Sequence, residues 1–220
     1  MSTKNGSLLA ALSGILGVVM LGVSFSINVG PPADATTSAQ LIAFDHQSFA
    51  SVLWGAWLQA IGPVFIVLFA FRIVSLAGAT TRVVGWMTLF GASILMTVSL
   101  VEIVFYISAL YDTPSTMAQI SYELIHAVQH LYFIVASPAF FIPLGIVILS
   151  SDVLPRLLGY LALLLGAAFA IAGVVTLLSL EVPVAVQLAA SIQVFWWLAA
   201  AITLIVQTLR TSAIVKAQTA

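Results

Sequence analysis

The chain contains no cysteine, which removes disulfides, thiolate metal sites, covalent haem attachment and cysteine nucleophiles together. Charge is almost as scarce. Only 6% of the 220 residues are Asp, Glu, Lys or Arg, where a soluble domain carries roughly a quarter. So few charges cannot solvate the surface of a water-exposed globule, and most of that surface must face lipid. The formal net charge of −1 excludes both the basic footprint of a nucleic-acid binder and an acidic tail. No lysine falls inside an apolar stretch, so a retinal Schiff base is excluded. Also missing are a His-Glu-x-x-His protease motif, a P-loop, a Gly-x-Ser-x-Gly elbow and a dinucleotide fingerprint.

What is present is apolar: 62% of residues are hydrophobic and the mean hydropathy is +1.21. A membrane helix needs about 20 mostly apolar residues, and six stretches supply them, at about 7–28, 50–71, 83–110, 117–149, 156–180 and 184–209. The expected fold is therefore all-α, a polytopic bundle of six transmembrane helices in a single membrane domain spanning 1–220. Lys4 and the apolar run Leu8–Val23 have the outline of a signal peptide, but the small-residue site Ala33-Asp34-Ala35 lies too far downstream. The first segment is read as a retained helix. Gly30-Pro31-Pro32 opens the longest expected loop, which reaches Phe49 and carries Asp34, Asp45 and His46. Asp112-Thr113-Pro114-Ser115 reads as a turn with Thr113 or Ser115 as N-cap of the next helix.

Positive residues gather in cytoplasmic loops. All of them here fall on one side of the expected topology: Lys4, Arg72, Arg82, Arg156, Arg210 and Lys216. The other side holds Asp34, Asp45, Asp112 and Glu181. Both termini are accordingly expected in the cytoplasm. Packing has its own signature, since Gly159, Gly166 and Gly173 recur at seven-residue spacing and let helices approach closely. Exposed to lipid, this seam would serve a homo-oligomer or a larger membrane complex. Gly14 and Gly17 could serve the first helix similarly.

Charged groups inside a bilayer are costly and mark function by default. Glu102 and Glu123 lie inside expected helices, with His126 and His130 close by in sequence. At 100° per residue, Gln119, Glu123, His126, His130 and Ser137 fall within an arc of about 60°, a narrow polar stripe expected to face protein or a water-filled cavity. Ser99, Glu102 and Tyr106 share one face of the preceding helix. Counted from the turn near Thr113-Pro114, Glu102 lies level with about residue 126, and its carboxylate is expected to meet His126 or His130.

Three readings of this cluster stay open. Glu102, Glu123, His126 and His130 are types that ligate zinc, iron or manganese, which would make the protein a metal-binding one or a metal-dependent enzyme acting on a lipid-soluble substrate. The same stripe, with Gln119 and Tyr106, suits a proton or small-ligand site. A buried network that only fixes the helix pair is the third. Only one Glu-x-x-His pair exists, so a di-iron site is not indicated. A b-type haem is not expected either, because His126 and His130 lie one turn apart on one helix. Asn28, Gln59, Gln187 and Gln193 all fall in the outer halves of their helices, which argues against a continuous pore and for an outward-facing cavity. Gly62-Pro63, Pro138 and Pro143 are expected kinks. Trp54 and Trp57 suit the outer interfacial belt, while Trp196 and Trp197 lie deeper, as packing residues.

The turn Val153-Leu154-Pro155-Arg156-Leu157-Leu158-Gly159-Tyr160, followed by a helix of Ala, Gly and Leu, resembles a family of small multi-pass bacterial membrane proteins built on a domain of unknown function. In that family a Leu-Pro-Arg-x-x-Gly turn joins two late helices. The resemblance implies a bacterial inner membrane and carries no activity or site residues. The expected role is a binding or accessory membrane protein that uses the Glu/His cluster.

Overall fold

A computed structural model describes residues 3–28, 37–111, 115–178 and 183–219. The Gly30-Pro31-Pro32 opening, Asp34, Asp112, Thr113, Glu181 and the small-residue triplet at 33–35 lie outside the described residues, as do the side chains of Asp45, Ser115 and Gln187. Every element among the described residues is helical: α1 (Thr3–Ile27), α2 (Ser38–Leu76), α3 (Val83–Leu110), α4 (Ser115–Leu131), a π-helical turn (Tyr132–Ala136), α5 (Ser137–Leu149), α6 (Arg156–Leu177) and α7 (Pro183–Thr219). α4, the π turn and α5 form one uninterrupted rod. Six stretches of helix are long and apolar enough to cross a membrane, at Asn5–Ile27, His46–Leu76, Val83–Leu110, Gln119–Leu149, Arg156–Leu177 and Leu188–Arg210. Lipid leaves unpaired backbone groups without partners, so such spans must close their own hydrogen-bond ladders. The chain is a multi-pass membrane protein. Lys4 and Lys216 lie in α1 and α7 but outside these spans.

Besides α7, whose 37 residues run on past the Arg210 end of its span, three elements are much longer than a single crossing needs. α2 has 39 residues and α3 has 28, or about 58 and 42 Å at 1.5 Å per residue, and the rod Ser115–Leu149 measures about 50 Å. The hydrocarbon layer is about 30 Å. The turns at 77–82 and 150–155 carry Arg82 at one end of the bundle, with exposed Trp86 and Tyr160 one turn inside it as an aromatic belt. The surplus length therefore projects from the opposite, far end. There Leu41 and Val52 of α2, Tyr106 and Leu110 of α3, and Tyr122 and Ile125 of α4 bury one another in a core separate from the main one.

This corrects the expectation of a loop from 29 to 49. α2 begins at Ser38, held by a capping box in which the Thr37 hydroxyl accepts from the Gln40 N–H and the Gln40 side chain accepts from the Thr37 N–H. Two orphan donors at the helix start are satisfied reciprocally, so Asp45 and His46 are helical. Trp54 and Trp57, exposed and in edge-to-face contact, mark the second belt part-way along α2.

Within the bundle the main core is aromatic. Phe69, Phe140, Phe141, Trp196 and Trp197 are buried against one another, and the Trp196 indole N–H donates to the Leu158 carbonyl at 2.8 Å. Pro63 and Pro143 are accommodated inside continuous helices. The glycine seam of α6 is spent inside the chain: a Cβ on Gly159 would reach 2.7 Å from Leu149, on Gly166 2.6 Å from Ile142, and on Gly173 2.6 Å from Ile134. The seam is thus the close-approach contact its spacing leads one to expect, made with α5 and the π turn.

Between α3 and α5 the backbones approach so closely that a Cβ on Gly91 would run into the Ala139 carbonyl. A Cβ on Gly22 of α1 would meet nothing within 4 Å. Gly91→Ala is expected to destabilise the detergent-solubilised protein by roughly 1–3 kcal/mol through overpacking. Gly22→Ala should be neutral or stabilising, since Ala is the better helix former. Thermal unfolding followed by tryptophan fluorescence distinguishes the two.

Candidate functional site

Glu102 is placed by α3 about 30 Å along the helix from Arg82, and Gln129 by the rod about 30 Å from Leu149. Both counts put them at the far boundary of the hydrocarbon layer rather than midway through it. Trp54 and Trp57 lie close to the same level on α2. The site occupies the junction between the membrane bundle and the projecting helices, where a polar group is less costly than at the bilayer centre.

Both carboxylate oxygens of Glu102 are occupied. The Gln59 amide, only 2% exposed, donates to Oε2 at 2.7 Å, and the Gln129 amide donates to Oε1 at 3.0 Å. The Ser99 hydroxyl donates to the Gln59 backbone carbonyl at 3.1 Å, which ties α3 to α2 at the same level. An ionised carboxylate accepts and cannot donate, and two amide donors on two oxygens is the pattern that suits it. The donors are neutral amides, so they orient the carboxyl group, and no cationic side chain pairs with it among the described residues.

Glu102 faces a cavity of about 270 Å³. Its walls include Asn28 from α1, Gln59 from α2, Tyr106 from α3, and Tyr122, His126 and Gln129 from α4. Tyr106 is buried in the far-end core as well. The Asn28 Oδ1 atom is buried and has no hydrogen-bond partner among the described residues, a costly condition for an acceptor. α1 is held nearby by the Ser24 hydroxyl, which donates to the Gly55 carbonyl at 2.8 Å.

The remaining candidates are distributed differently from the sequence expectation. The carboxylate of Glu102 takes its hydrogen bonds from Gln59 and Gln129 rather than from an imidazole. His126 shares the cavity with Glu102 but is largely exposed, as are Gln119 and Glu123. His130 is half-buried, with its Nδ1 buried and unpartnered, and is not among the residues around this cavity. Among the described residues no three His, Asp or Glu side chains form a group that could hold a metal ion. His46 is exposed on α2 in the projecting part.

The inward face of α4 is Ser121, Tyr122, Ile125 and Val128, so the stripe of Gln119, Glu123 and His126 is turned to the surface of the projecting segment. The expectation of an inward stripe depends on placing all of 117–149 in hydrocarbon. At about 50 Å the rod is longer than the hydrocarbon layer is thick, and a polar side chain near its start, at the membrane boundary, needs no internal partner. Ser137 leaves the stripe for a second reason: its N–H bonds to the Tyr132 carbonyl, five residues back. That π turn, directly before Pro138, inserts a residue into the helical register and rotates the remainder of the rod by about 100°. Ser137 is fully buried as a result.

Gln129 is the residue that sequence reasoning passed over. Its signal was available, since it lies one helical turn from Ile125 and His126 and two from Tyr122, but an amide carries no charge to draw notice.

Gln59→Leu is expected to cost roughly 1–3 kcal/mol, because one carboxylate oxygen then loses its donor in a part-buried setting. The double variant Gln59→Leu/Glu102→Leu should be less destabilised than the two single losses added, since no carboxylate is left unpaired. Denaturation midpoints of the four proteins in the cycle give the coupling, and additive losses would show that the bond is not formed. The chain matches no family model, no curated protein and no solved structure, so the chemistry of this site rests on its own geometry.

Proposed function

We propose that this protein is a membrane binding protein that takes a small organic cation at Glu102, in the cavity at the far boundary of the bundle. One observation carries the reading: a carboxyl group held by two neutral amide donors, with no cationic side chain paired to it among the described residues. The surroundings agree with a cation. Asn28 contributes an unpartnered acceptor, and the rings of Tyr106 and Tyr122 border the same space, where an ammonium gains from aromatic faces. A fixed carboxylate repels anions. The volume of about 270 Å³ lies just below the usual range for drug-sized ligands, roughly 300–1,000 Å³, which limits the guest to a small molecule.

A divalent metal would need further ligands to converge on Glu102, and the exposed Glu123 and His126 do not support that arrangement as they stand. The basic residues at one end of the bundle support cytoplasmic termini and a far end that faces outward. With the Leu-Pro-Arg-x-x-Gly turn, this supports residence in a bacterial inner membrane, with the cavity served from the external side.

Purified full-length protein in detergent should be stabilised against heat by millimolar methylammonium, and Glu102→Gln should abolish the stabilisation while leaving the unliganded melting temperature close to wild type. A shift that survives in Glu102→Gln would refute the site. Stoichiometric zinc, iron or manganese in elemental analysis, lost in His126→Ala, would favour the metal reading instead.

Orientation is tested separately. In intact cells an impermeant thiol reagent should label a cysteine placed at His46 and should not label one placed at Asp152. The native chain has no cysteine to interfere. The reverse pattern would invert the topology.

A further inference from the structure

A second cavity, of about 70 Å³, adjoins the first on the side toward the bundle interior. Phe25, Gln59 and Glu102 border both, so the carboxyl group and its amide partner stand between the two spaces. The character changes from one to the other. The inner chamber is walled by Pro63 and Ile66 of α2 and by Leu95 and Val98 of α3, one and two turns deeper than Gln59 and Glu102. Trp197, Tyr132 and Gln193 also border it, and the Tyr132 hydroxyl is engaged in donating to the Gln193 side-chain carbonyl at 2.7 Å. A polar outer space, the Glu102 carboxyl group and a mostly apolar pocket thus adjoin one another.

Resting on the reading of Glu102 as a cation site, we propose that the ligand is an amphipathic organic cation: its ammonium group lies in the outer cavity at Glu102 and its short apolar end enters the inner chamber. An apolar cavity of about 150 Å³ holds one benzene ring, so 70 Å³ suits an apolar group of about three carbons. That size rules out a phospholipid acyl chain as the guest. Phe25 fits the same picture. It borders both cavities yet is 65% exposed, so at this point one aromatic ring separates the chambers from the outside of the bundle, at the depth where amphipathic amines partition.

The test uses a series of primary alkylammonium ions, methyl through hexyl, titrated into detergent-purified full-length protein by calorimetry, with Glu102→Gln as the reference for partition into detergent. Affinity for the wild type should rise about fourfold per methylene up to about propyl, then level off. In Val98→Phe, which fills the inner chamber, methylammonium should bind as in wild type while the rise with chain length disappears. Val98→Leu should remove part of the rise, and it keeps the test usable if the larger side chain prevents folding. A flat wild-type series with Glu102-dependent methylammonium binding would overturn the amphipathic assignment and leave the cation site standing. A rise that persists unchanged in Val98→Phe and Val98→Leu would overturn it as well, since the apolar end would then lie elsewhere. Absence of any Glu102-dependent binding would end both.

Discussion

A bilayer offers backbone amides and carbonyls nothing to bond with, so every crossing of this chain is a helix that closes its own ladder. The thickness of that layer, about 30 Å, is fixed from outside the protein, whereas helix length is set by the sequence. Much of the architecture results from the mismatch between the two. α1 and α6 are close to a single crossing in length, at 25 and 22 residues, while α2, α3 and the α4–α5 rod overrun it at the same end. The overrun lengths cannot stand alone in water with apolar faces, so they pack into a second small core of Leu41, Val52, Tyr106, Leu110, Tyr122 and Ile125. A protein that is almost all membrane thereby gains a helical platform beyond the hydrocarbon.

The position of Glu102 makes sense on that platform's lower edge. In mid-bilayer the carboxylate would have to neutralise or find a cation. At the boundary it persists with two amide donors and a polar cavity on one side. The choice of Gln59 and Gln129 as partners matters chemically. An Arg or Lys there would form an ion pair and use up the charge, whereas amides orient the carboxylate and leave its field directed into the cavity. That difference separates a site able to take a cation from a bridge that only fastens helices.

Several parts of this arrangement are legible in the residues. The six spans stand close to where hydropathy puts them, and Glu102 stands out because an acid in an apolar helix is costly. Counting outward from the turn places its partner near residue 126, one turn from Gln129, because antiparallel neighbours joined by a short turn keep level. Other parts mislead for definite reasons. Gly30-Pro31-Pro32 and the acids after it resemble a loop, and the loop reading swallows the start of α2, although Thr37-x-x-Gln40 spells the capping box that begins it. The polar stripe on α4 points to a cavity only if the whole segment is immersed.

The sequence by itself determined that the chain is helical, that it lives in lipid and how many times it crosses, because these depend on composition and on the length of apolar runs, both local quantities. It also determined that an acid on the third crossing needed company. Tertiary structure alone decided which face of α4 turns inward and how α5 is phased against it, since one extra residue in the π turn between them offsets the two. It also decided that the glycines of α6 serve α5 rather than a second copy. Finally, it decided that two neutral amides, on helices separated in sequence, would close on Glu102. Rotational phase and partner choice are settled by packing among helices, and no count along a single helix contains them.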